Sequence, residues 1–176
     1  TCPECGNQNS GKFYIFYANK GIRVEPLFVT RIEDSYGNTI ANFTPQMSEV
    51  LTEDASYKML HMLKSVIDGG TGGRVRFRYG IKAEMGGKTG TTQNNSDGWF
   101  MGFTPSLVSG CWVGGEDRSI HFDRLAEGQG ASMALPIYAL YMQKVYKDKT
   151  LGYSEDETFE IPEKYANPCS EGGEED

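Results

Sequence analysis

The residues of this 176-residue chain that could do chemistry together lie in one short run, Lys88-Thr89-Gly90-Thr91-Thr92. On an extended strand, Lys88, Gly90 and Thr92 would share one face and the two remaining threonines the other. Lys88 supplies a cation that can hold a carboxylate, and the threonine hydroxyls can bind a carboxylate without charge. Gly90 removes a side chain, which lets a ligand approach the backbone closely.

An edge strand with this composition could bind an extended peptide. Its free N–H and C=O groups can pair with a peptide as an extra strand, and a backbone N–H can donate to an oxyanion. The combination predicts a cradle for a peptide that ends in a free carboxylate. A Gly/Thr-rich strand with a solvated lysine explains the five residues equally well, so the choice depends on the rest of the chain.

Three strand-like runs around these residues predict an antiparallel meander: about 86–93, 99–104 and 107–114. Short polar connections separate the runs, which is typical of strands that are neighbours in a sheet. Upstream, residues 27–33 and 40–43 flank a turn signal and predict a β-hairpin.

Two amphipathic helices should lie across this sheet. The first is capped by Thr52, carries acids in its first turn and ends at the glycines of 69–73. The second runs from Gly130 to Tyr146, and Pro136 should lie near its first turn, where a missing N–H costs little. The predicted buried stripes are Ala55, Met59, Met62, Leu63, Val66 and Ile67 in the first helix, and Ala134, Ile137, Tyr138, Tyr141, Met142 and Val145 in the second. The elements together predict an α+β fold, an antiparallel sheet with flanking helices.

The formal net charge of −7 disfavours a nucleic-acid partner, and we expect none, because phosphate neutralisation needs clustered basic residues. Arg74, Arg76 and Arg78 alternate, which favours a strand edge over a nucleic-acid site. His61 lies off the apolar stripe of its helix and His121 lies in a loop, so both are interpreted as surface residues.

Two of the four cysteines, Cys2 and Cys5, have the CxxC spacing of half a zinc site. The other half is missing, because Cys111 and Cys169 are isolated in the sequence. A disulfide, an inert pair or a remnant of expression are the alternatives for the first two. We expect neither a metal ion nor a cofactor.

The stretch GGKTGTTQNNSDGWFMGFTPSLVSGCWVGGED, residues 86–117, resembles the transpeptidases of the penicillin-binding protein family, of which Lys-Thr-Gly is one signature. Within it, residues 97–105 resemble the family strand D-x-W-F-x-G-x-T-P, and Trp112-Val113-Gly114 resembles the strand that follows.

Further segments resemble the class A, bifunctional members of that family. They are YANKGIRVEP at 17–26, GGTGG at 69–73 and the helix of residues 130–142. All appear in family order, and the resemblance covers roughly residues 13–147. It implies a partial serine β-lactamase/D,D-transpeptidase-like fold.

The resemblance also implies roles for the run. Lys88 would contact the catalytic-serine region and the substrate carboxylate, which the hydroxyls of Thr89 and Thr91 would hold. The backbone N–H of Thr91 would be an oxyanion donor, and Gly90 and Thr92 would help to bind the substrate. The implied reaction is serine acyl transfer that cross-links the D-Ala-D-Ala stem peptides of peptidoglycan. β-Lactam antibiotics would acylate the same serine.

The nucleophile itself is not in the chain. No serine is followed by a lysine three residues later, and Ser-x-Asn is absent, since Ser96-Asp97-Gly98 departs from it at the third residue. Without a nucleophile the acyl-enzyme route cannot run. We therefore expect an inactive C-terminal fragment of an enzyme whose upstream part carries both motifs. The alternatives are a non-catalytic peptide-binding module and a relative of the serine β-lactamases.

The expected organisation has three parts: a tail or expression remnant at 1–12, the C-terminal part of a transpeptidase domain at 13–149, and an acidic, mobile tail at 150–176. The class A resemblance implies a glycosyltransferase domain upstream and an extracytoplasmic location, anchored at the periplasmic face of the cytoplasmic membrane. The expected partners are stem peptides, β-lactams, the upstream part of the same protein and, through exposed apolar surface, a second copy.

Overall fold

The computed structural model describes residues 16–166, and its first strands form two small antiparallel pairs. Strand β1 (Ile22–Val24) pairs with β4 (Met47–Glu49), and β2 (Arg31–Glu33) pairs with β3 (Thr39–Asn42). The hairpin that the turn signal predicts is confirmed, and its turn contains Gly37 at a φ of +86°, a conformation that favours glycine. The pairing of β1 with β4 was not predicted, because three-residue strands far apart in sequence leave no local pattern.

Helix α1 (Glu53–Asp68) begins after Thr52, as the sequence predicts. The Thr52 hydroxyl accepts a hydrogen bond from the N–H of Ala55 at 3.3 Å. Glu53 and Asp54 lie in the first turn, where the helix dipole favours acids. The helix ends at Gly69, whose N–H donates to the carbonyl of Ser65.

The buried face of α1 differs from the predicted apolar stripe. Its buried residues are Ser56, Leu60, Leu63 and Ile67. Ser56 lies on this face because its hydroxyl is within hydrogen-bond distance of the carbonyls of Phe16 and Tyr17, at 3.1 and 3.2 Å. Ala55 and Met62 are exposed, so their assignment to the stripe was wrong. Ser56 is polar but is buried by a tertiary hydrogen bond, so the buried face of the helix differs from the face that the apolar residues indicate.

A short helix, α2 (Arg74–Phe77), stands where the alternating arginines predicted a strand edge. That prediction was wrong, because these residues form a helix, and the side chains of Arg74 and Arg76 donate to backbone carbonyls. The guanidinium of Arg76 donates to the carbonyls of Ile81 and Ala83 at 3.0 and 2.6 Å. It also pairs with the carboxylate of Asp68 at 3.0 Å, which ties the helix to the end of α1.

The central sheet consists of β5 (Gly86–Thr91), β6 (Asp97–Phe103) and β7 (Val108–Gly114) in that order. Both pairings are antiparallel, which confirms the predicted meander. In the register of the first pairing, Lys88 lies opposite Met101. Within the described residues, β5 and β7 each have one edge without a strand partner.

The two faces of this sheet differ in burial. Phe100 is fully buried, and its ring centroid lies 4.7 Å from that of Tyr138. Trp99 and Trp112 are register partners on the opposite face, and they are 41% and 46% exposed. One face therefore carries the core, and the other presents an aromatic surface in the described part of the chain.

A short helix, α3 (Leu125–Gly128), leads into the long helix α4 (Gly130–Lys147), which packs against β6 and β7. Pro136 lies inside α4 and not near its first turn. The helix starts well before this proline, at Gly130, whose backbone lies close to the sheet. A Cβ at Gly130 would lie 2.4 Å from the carbonyl oxygen of Gly90.

The buried face of α4 is centred on small residues. Its buried members are Gly130, Ala131, Ala134, Leu135, Tyr138, Ala139, Met142, Val145 and Tyr146. Ile137 and Tyr141, which the periodicity placed in the stripe, are 51% and 47% exposed, so that part of the prediction was wrong. The alanines let the helix lie close to the sheet, and this contact sets the face that is buried.

The segment that follows α4 packs on the domain before its last helix, α5 (Glu163–Ala166). Phe159 is 7% exposed and forms a cluster with Leu60, Leu63 and Phe103. Its N–H donates to the carboxylate of Glu84 at 2.8 Å. Residues 167–176 lie outside the described residues, and the mobile tail predicted at 150–176 stays a prediction. The domain boundaries stay predictions.

The structure also bears on the cysteines, on metal binding, on membrane-spanning helices and on the histidines. Cys2, Cys5 and Cys169 lie outside the described residues. Among residues 16–166, no group of three or more His, Cys, Asp or Glu side chains could hold a metal ion. In the same range no helix has the length and apolar character needed to cross a membrane. His61 and His121 are both exposed, which confirms their interpretation as surface residues.

Candidate functional site

The Lys-Thr-Gly run lies on β5, at the edge of the sheet that has no strand partner in the described range. Beyond the strand, the N–H of Thr92 donates to the carbonyl of Asp97 at 3.0 Å. In an antiparallel pair, such cross-strand bonds recur at every second residue. The N–H and C=O groups of Thr89 and Thr91 therefore point away from β6 toward the open edge.

The cation of the run lies over this open edge. Lys88 is exposed, and its ammonium donates to the carbonyl of Thr89 at 2.8 Å. By register, Lys88 and Gly90 share the face of the sheet that carries Trp99. A positive charge thus lies beside outward-facing backbone groups, an arrangement that suits an anionic ligand.

The hydroxyl of Thr89 contacts a second hydroxyl from outside the strand. Its Oγ1 lies 2.9 Å from Oγ1 of Thr71, in the glycine cluster that follows α1. Sequence reasoning missed this contact, because the cluster was interpreted as a helix end and a family segment. The signal that could have found it is a lone hydroxyl residue among four glycines.

The hydroxyl of Thr91 is positioned by the start of α4. It accepts a hydrogen bond from the N–H of Gly130 at 3.1 Å, and its own proton stays available to a ligand. The N-terminal N–H groups of a helix carry partial positive charge, which polarises the hydroxyl that they contact. Glycine is required at 130, because a Cβ there would lie 2.3 Å from the carbonyl oxygen of Trp99.

Thr92, predicted to help bind the substrate, makes its contacts within the turn to β6. Its hydroxyl lies 3.1 Å from the hydroxyl of Ser96 and 3.2 Å from the carboxylate of Asp97. It also accepts the N–H of Asp97 at 3.0 Å. The turn contains Asn94 and Asn95 at positive φ, and the Thr92 contacts hold it closed.

Arg74 connects the elements that position the two threonines of β5. Its guanidinium donates to the carbonyl of Ala131 and the hydroxyl of Ser132, both at 3.0 Å. The Ser132 hydroxyl in turn donates to the carbonyl of Ala126 at 2.7 Å. The glycine cluster and the start of α4 are therefore held together next to β5. The arginine pattern in the sequence gave no sign of this role.

The arrangement is an open strand edge with a cation, two positioned hydroxyls and outward N–H groups, which suits an extended peptide with a terminal carboxylate.

The sequence of the chain also matches a known protein family. The family model "Penicillin binding protein transpeptidase domain" matches residues 12–110, more than half of the chain. The chain belongs to this family.

Relatives with this sequence pattern are much longer proteins. The chain is 35% identical over 149 residues to penicillin-binding protein 1A of Aquifex aeolicus, covering 85% of this chain and 19% of that protein. It is 30% identical over 138 residues to penicillin-binding protein 1B of Haemophilus influenzae, covering 78% of this chain and 17% of that one. The chain thus spans about a fifth of the length of these relatives.

Solved structures share the fold. The crystal structure of penicillin-binding protein 1A from Haemophilus influenzae matches with a TM-score of 0.71 at 22% identity, over 88% of this chain and 27% of that one. PonA1 from Mycobacterium tuberculosis, in complex with penicillin V, matches with a TM-score of 0.67 at 21% identity, over 86% and 40% of the chains. The α+β sheet with flanking helices is therefore the penicillin-binding transpeptidase fold.

Proposed function

We propose that this chain is the C-terminal part of the transpeptidase domain of a class A, bifunctional D,D-transpeptidase that cross-links peptidoglycan. The observation that carries the proposal is the open edge of β5, where Lys88, the hydroxyls of Thr89 and Thr91 and the outward N–H of Thr91 meet. Membership of the family supports it. The substrates are stem peptides that end in D-Ala-D-Ala.

We propose a role for each site residue, and their positions support these roles. A stem peptide pairs with β5 as an added strand, and its terminal carboxylate contacts the hydroxyls of Thr89 and Thr91 and the ammonium of Lys88. Gly90 leaves room for the peptide beside the strand. Thr92 holds the end of the strand in place through its bonds within the turn.

The reaction needs a serine that is not in this sequence. Its hydroxyl oxygen attacks the penultimate D-Ala carbonyl, the peptide C–N bond breaks, and the terminal D-Ala leaves as the protonated amine. An amine of a second stem peptide then attacks the resulting ester, forms the cross-link and returns the proton to the serine. The N–H of Thr91 donates to the oxyanion formed in both steps. β-Lactams acylate the same serine when their ring amide opens.

The upstream part of the same protein supplies what the chain lacks. It carries the nucleophile, since neither Ser-x-x-Lys nor Ser-x-Asn occurs in the 176 residues. We propose that it also carries a glycosyltransferase domain and the anchor that holds the protein at the periplasmic face of the cytoplasmic membrane. The isolated chain is therefore inactive.

Labelling with a fluorescent penicillin, followed by denaturing electrophoresis and intact mass, tests this function. We expect no covalent adduct on the isolated chain and one adduct per molecule on a polypeptide that includes the upstream Ser-x-x-Lys segment. In that longer polypeptide, Lys88→Ala should slow labelling by about tenfold or more. Lys149→Ala removes an exposed lysine outside the site and should leave labelling unchanged.

Two outcomes would overturn the proposal. An adduct on the isolated chain would show that it holds a nucleophilic serine without the Ser-x-x-Lys motif. Reversible binding of a D-Ala-D-Ala peptide with no adduct on the longer polypeptide would favour a non-catalytic peptide-binding module.

We further propose that the aromatic surface of Trp99 and Trp112 is covered by the upstream part of the protein, and by a second copy when the chain is alone. Their exposure of 41% and 46% supports this. Size-exclusion chromatography should then show a dimer or a concentration-dependent equilibrium. A highly stable monomer at every concentration would contradict the proposal.

A further inference from the structure

We infer that Thr71 is a positioning residue that directs the hydroxyl proton of Thr89 toward a carboxylate at the open edge of β5. The inference rests on the proposed function, because it names a further residue of the same binding site. Its starting point is the Oγ1–Oγ1 distance of 2.9 Å between the two threonines.

The glycine cluster forms a tight turn that presents a single hydroxyl. The N–H of Gly72 donates to the carbonyl of Val66 at 2.9 Å, and the N–H of Gly73 donates to that of Gly70 at 3.0 Å. Thr71 is the only residue with a side chain between positions 69 and 73. These bonds fix the backbone on both sides of Thr71, so its side chain is held against β5.

Side chains at the neighbouring positions would disrupt this turn. A Cβ at Gly72 would lie 2.8 Å from Cδ1 of Ile67, which is fully buried. A Cβ at Gly70 would lie 2.9 Å from Cα of Val66. The glycines therefore allow the turn to lie against α1 and the core, which brings Thr71 to Thr89.

The direction of the hydroxyl protons decides what Thr89 can bind. Each hydroxyl has one proton to donate and two lone pairs that accept. If Thr89 donated to Thr71, its proton would be unavailable to a ligand. If Thr71 donates to Thr89, the Thr89 proton is free to bond a carboxylate, which only accepts. A carboxylate that accepts the Thr89 proton polarises both hydrogen bonds. It therefore favours the arrangement in which Thr71 donates to Thr89.

Lys88 and Arg74 reinforce this arrangement. The Lys88 ammonium, at 2.8 Å from the Thr89 carbonyl, adds positive charge at the position where the carboxylate would lie. The contacts of Arg74 with Ala131 and Ser132 keep the residues after the turn next to the start of α4. The hydroxyls of Thr89 and Thr91 are thus both positioned by residues that lie outside β5.

The first test measures the Thr89 side chain without ligand, by NMR three-bond couplings that report its χ1 angle. We expect one dominant rotamer in the unmodified chain, averaging over rotamers in Thr71→Val, and recovery in Thr71→Ser, which restores a hydroxyl. Thr44→Val removes an exposed threonine hydroxyl that is distant in sequence from Thr71 and Thr89, and it is the matched control. An unchanged Thr89 rotamer in Thr71→Val would overturn the inference.

The second test measures binding of an acetylated peptide ending in D-Ala-D-Ala and of the same peptide with a C-terminal carboxamide. Thr71→Val should reduce the preference for the acid about five- to tenfold, and Thr71→Ser should retain it. Equal preference in the unmodified chain and Thr71→Val would overturn the inference. If the unmodified chain shows no preference for the acid, the carboxylate site of the proposed function fails, and the rotamer measurement alone decides whether Thr71 positions Thr89.

Discussion

Two regions of the molecule are built on antiparallel strands and are packed in opposite ways. The hairpin region, residues 22–49, contains no buried residue, and Phe28 and Tyr36 are 95% and 89% exposed. The site scaffold, residues 53–147, contains most of the core, with Phe100 and Phe103 fully buried. The hairpin region is held mainly by its backbone hydrogen bonds, whereas side-chain packing defines the scaffold.

The difference explains why the candidate site lies where it does. Thr89 and Thr91 are each positioned by an element that packs on β5 or β6, and the close approach depends on glycines at 72 and 130. The hairpin region offers no such support, because its strands have no packed layer against them in the described residues. The same type of substitution should therefore have different effects in the two regions.

Matched glycine substitutions should separate the regions most strongly. A Cβ at Gly102 would lie 2.3 Å from Oη of Tyr138, which is 2% exposed. Among the described residues, a Cβ at Gly37 would meet nothing within 4 Å, so the strain there comes from its φ of +86°. We expect Gly102→Ala to lower the free energy of unfolding by about 2–3 kcal/mol and Gly37→Ala by about 1 kcal/mol.

Urea unfolding followed by far-ultraviolet circular dichroism measures both losses. The slope of the transition serves as a control, since an unchanged slope means that the unfolded states are comparable. Equal losses in the two variants would mean that α4 can move away from the sheet at little cost in free energy. The difference in packing that we infer between the two regions would then be wrong.

Buried and exposed hydroxyls give a second, smaller contrast. The Ser56 hydroxyl is buried against the carbonyls of Phe16 and Tyr17, so Ser56→Ala leaves those buried acceptors without this donor. We expect a loss of about 1–2 kcal/mol. Ser48, on β4 in the hairpin region, is exposed, and Ser48→Ala should change the stability by less than about 0.5 kcal/mol. Thermal unfolding of both variants checks this, and a Ser56→Ala protein as stable as Ser48→Ala would contradict it.

Much of the fold was predictable because its signals are local. The Thr52 cap, the meander and the position of the Lys-Thr-Gly run on β5 all follow from residues that are neighbours in sequence. The buried faces of the helices were less predictable. Ser56 is buried by carbonyls about forty positions away, and Ile137 is exposed because alanines face the sheet.

The site was predictable only along the strand. Lys88, Thr89, Gly90 and Thr91 lie at the open edge that their pattern indicates, and their roles stay predictions. The supporting contacts were not predictable, because Thr71 and Gly130 reach β5 only through the packing of α1 and α4. Single-sequence periodicity contains no information about which turn lies against which strand.

The smallest contrast concerns two tyrosines at alkaline pH. Burial, together with the nearby carboxylates of Glu155 and Glu157, raises the pKa of Tyr146 from 10.0 to about 12. Tyr36 is 89% exposed, so no comparable burial acts on it in the hairpin region. Below pH 10.0 Tyr146 is protonated in both the folded and unfolded states. Between pH 10.0 and about 12 the unfolded chain releases this proton first, so stability falls as the pH rises.

Melting temperatures measured across that window test the assignment. Burial also raises the pKa of Tyr138, so the unmodified chain should lose stability there and Tyr146→Phe should lose less without becoming insensitive. Tyr36→Phe removes an exposed tyrosine hydroxyl of the hairpin region and is the matched control, and below pH 10.0 the slopes of the unmodified and Tyr146→Phe curves should agree. If Tyr36→Phe flattened the curve as much as Tyr146→Phe, the alkaline loss would arise from the hairpin region. Packing in the scaffold would then not be the reason for the difference between the two regions.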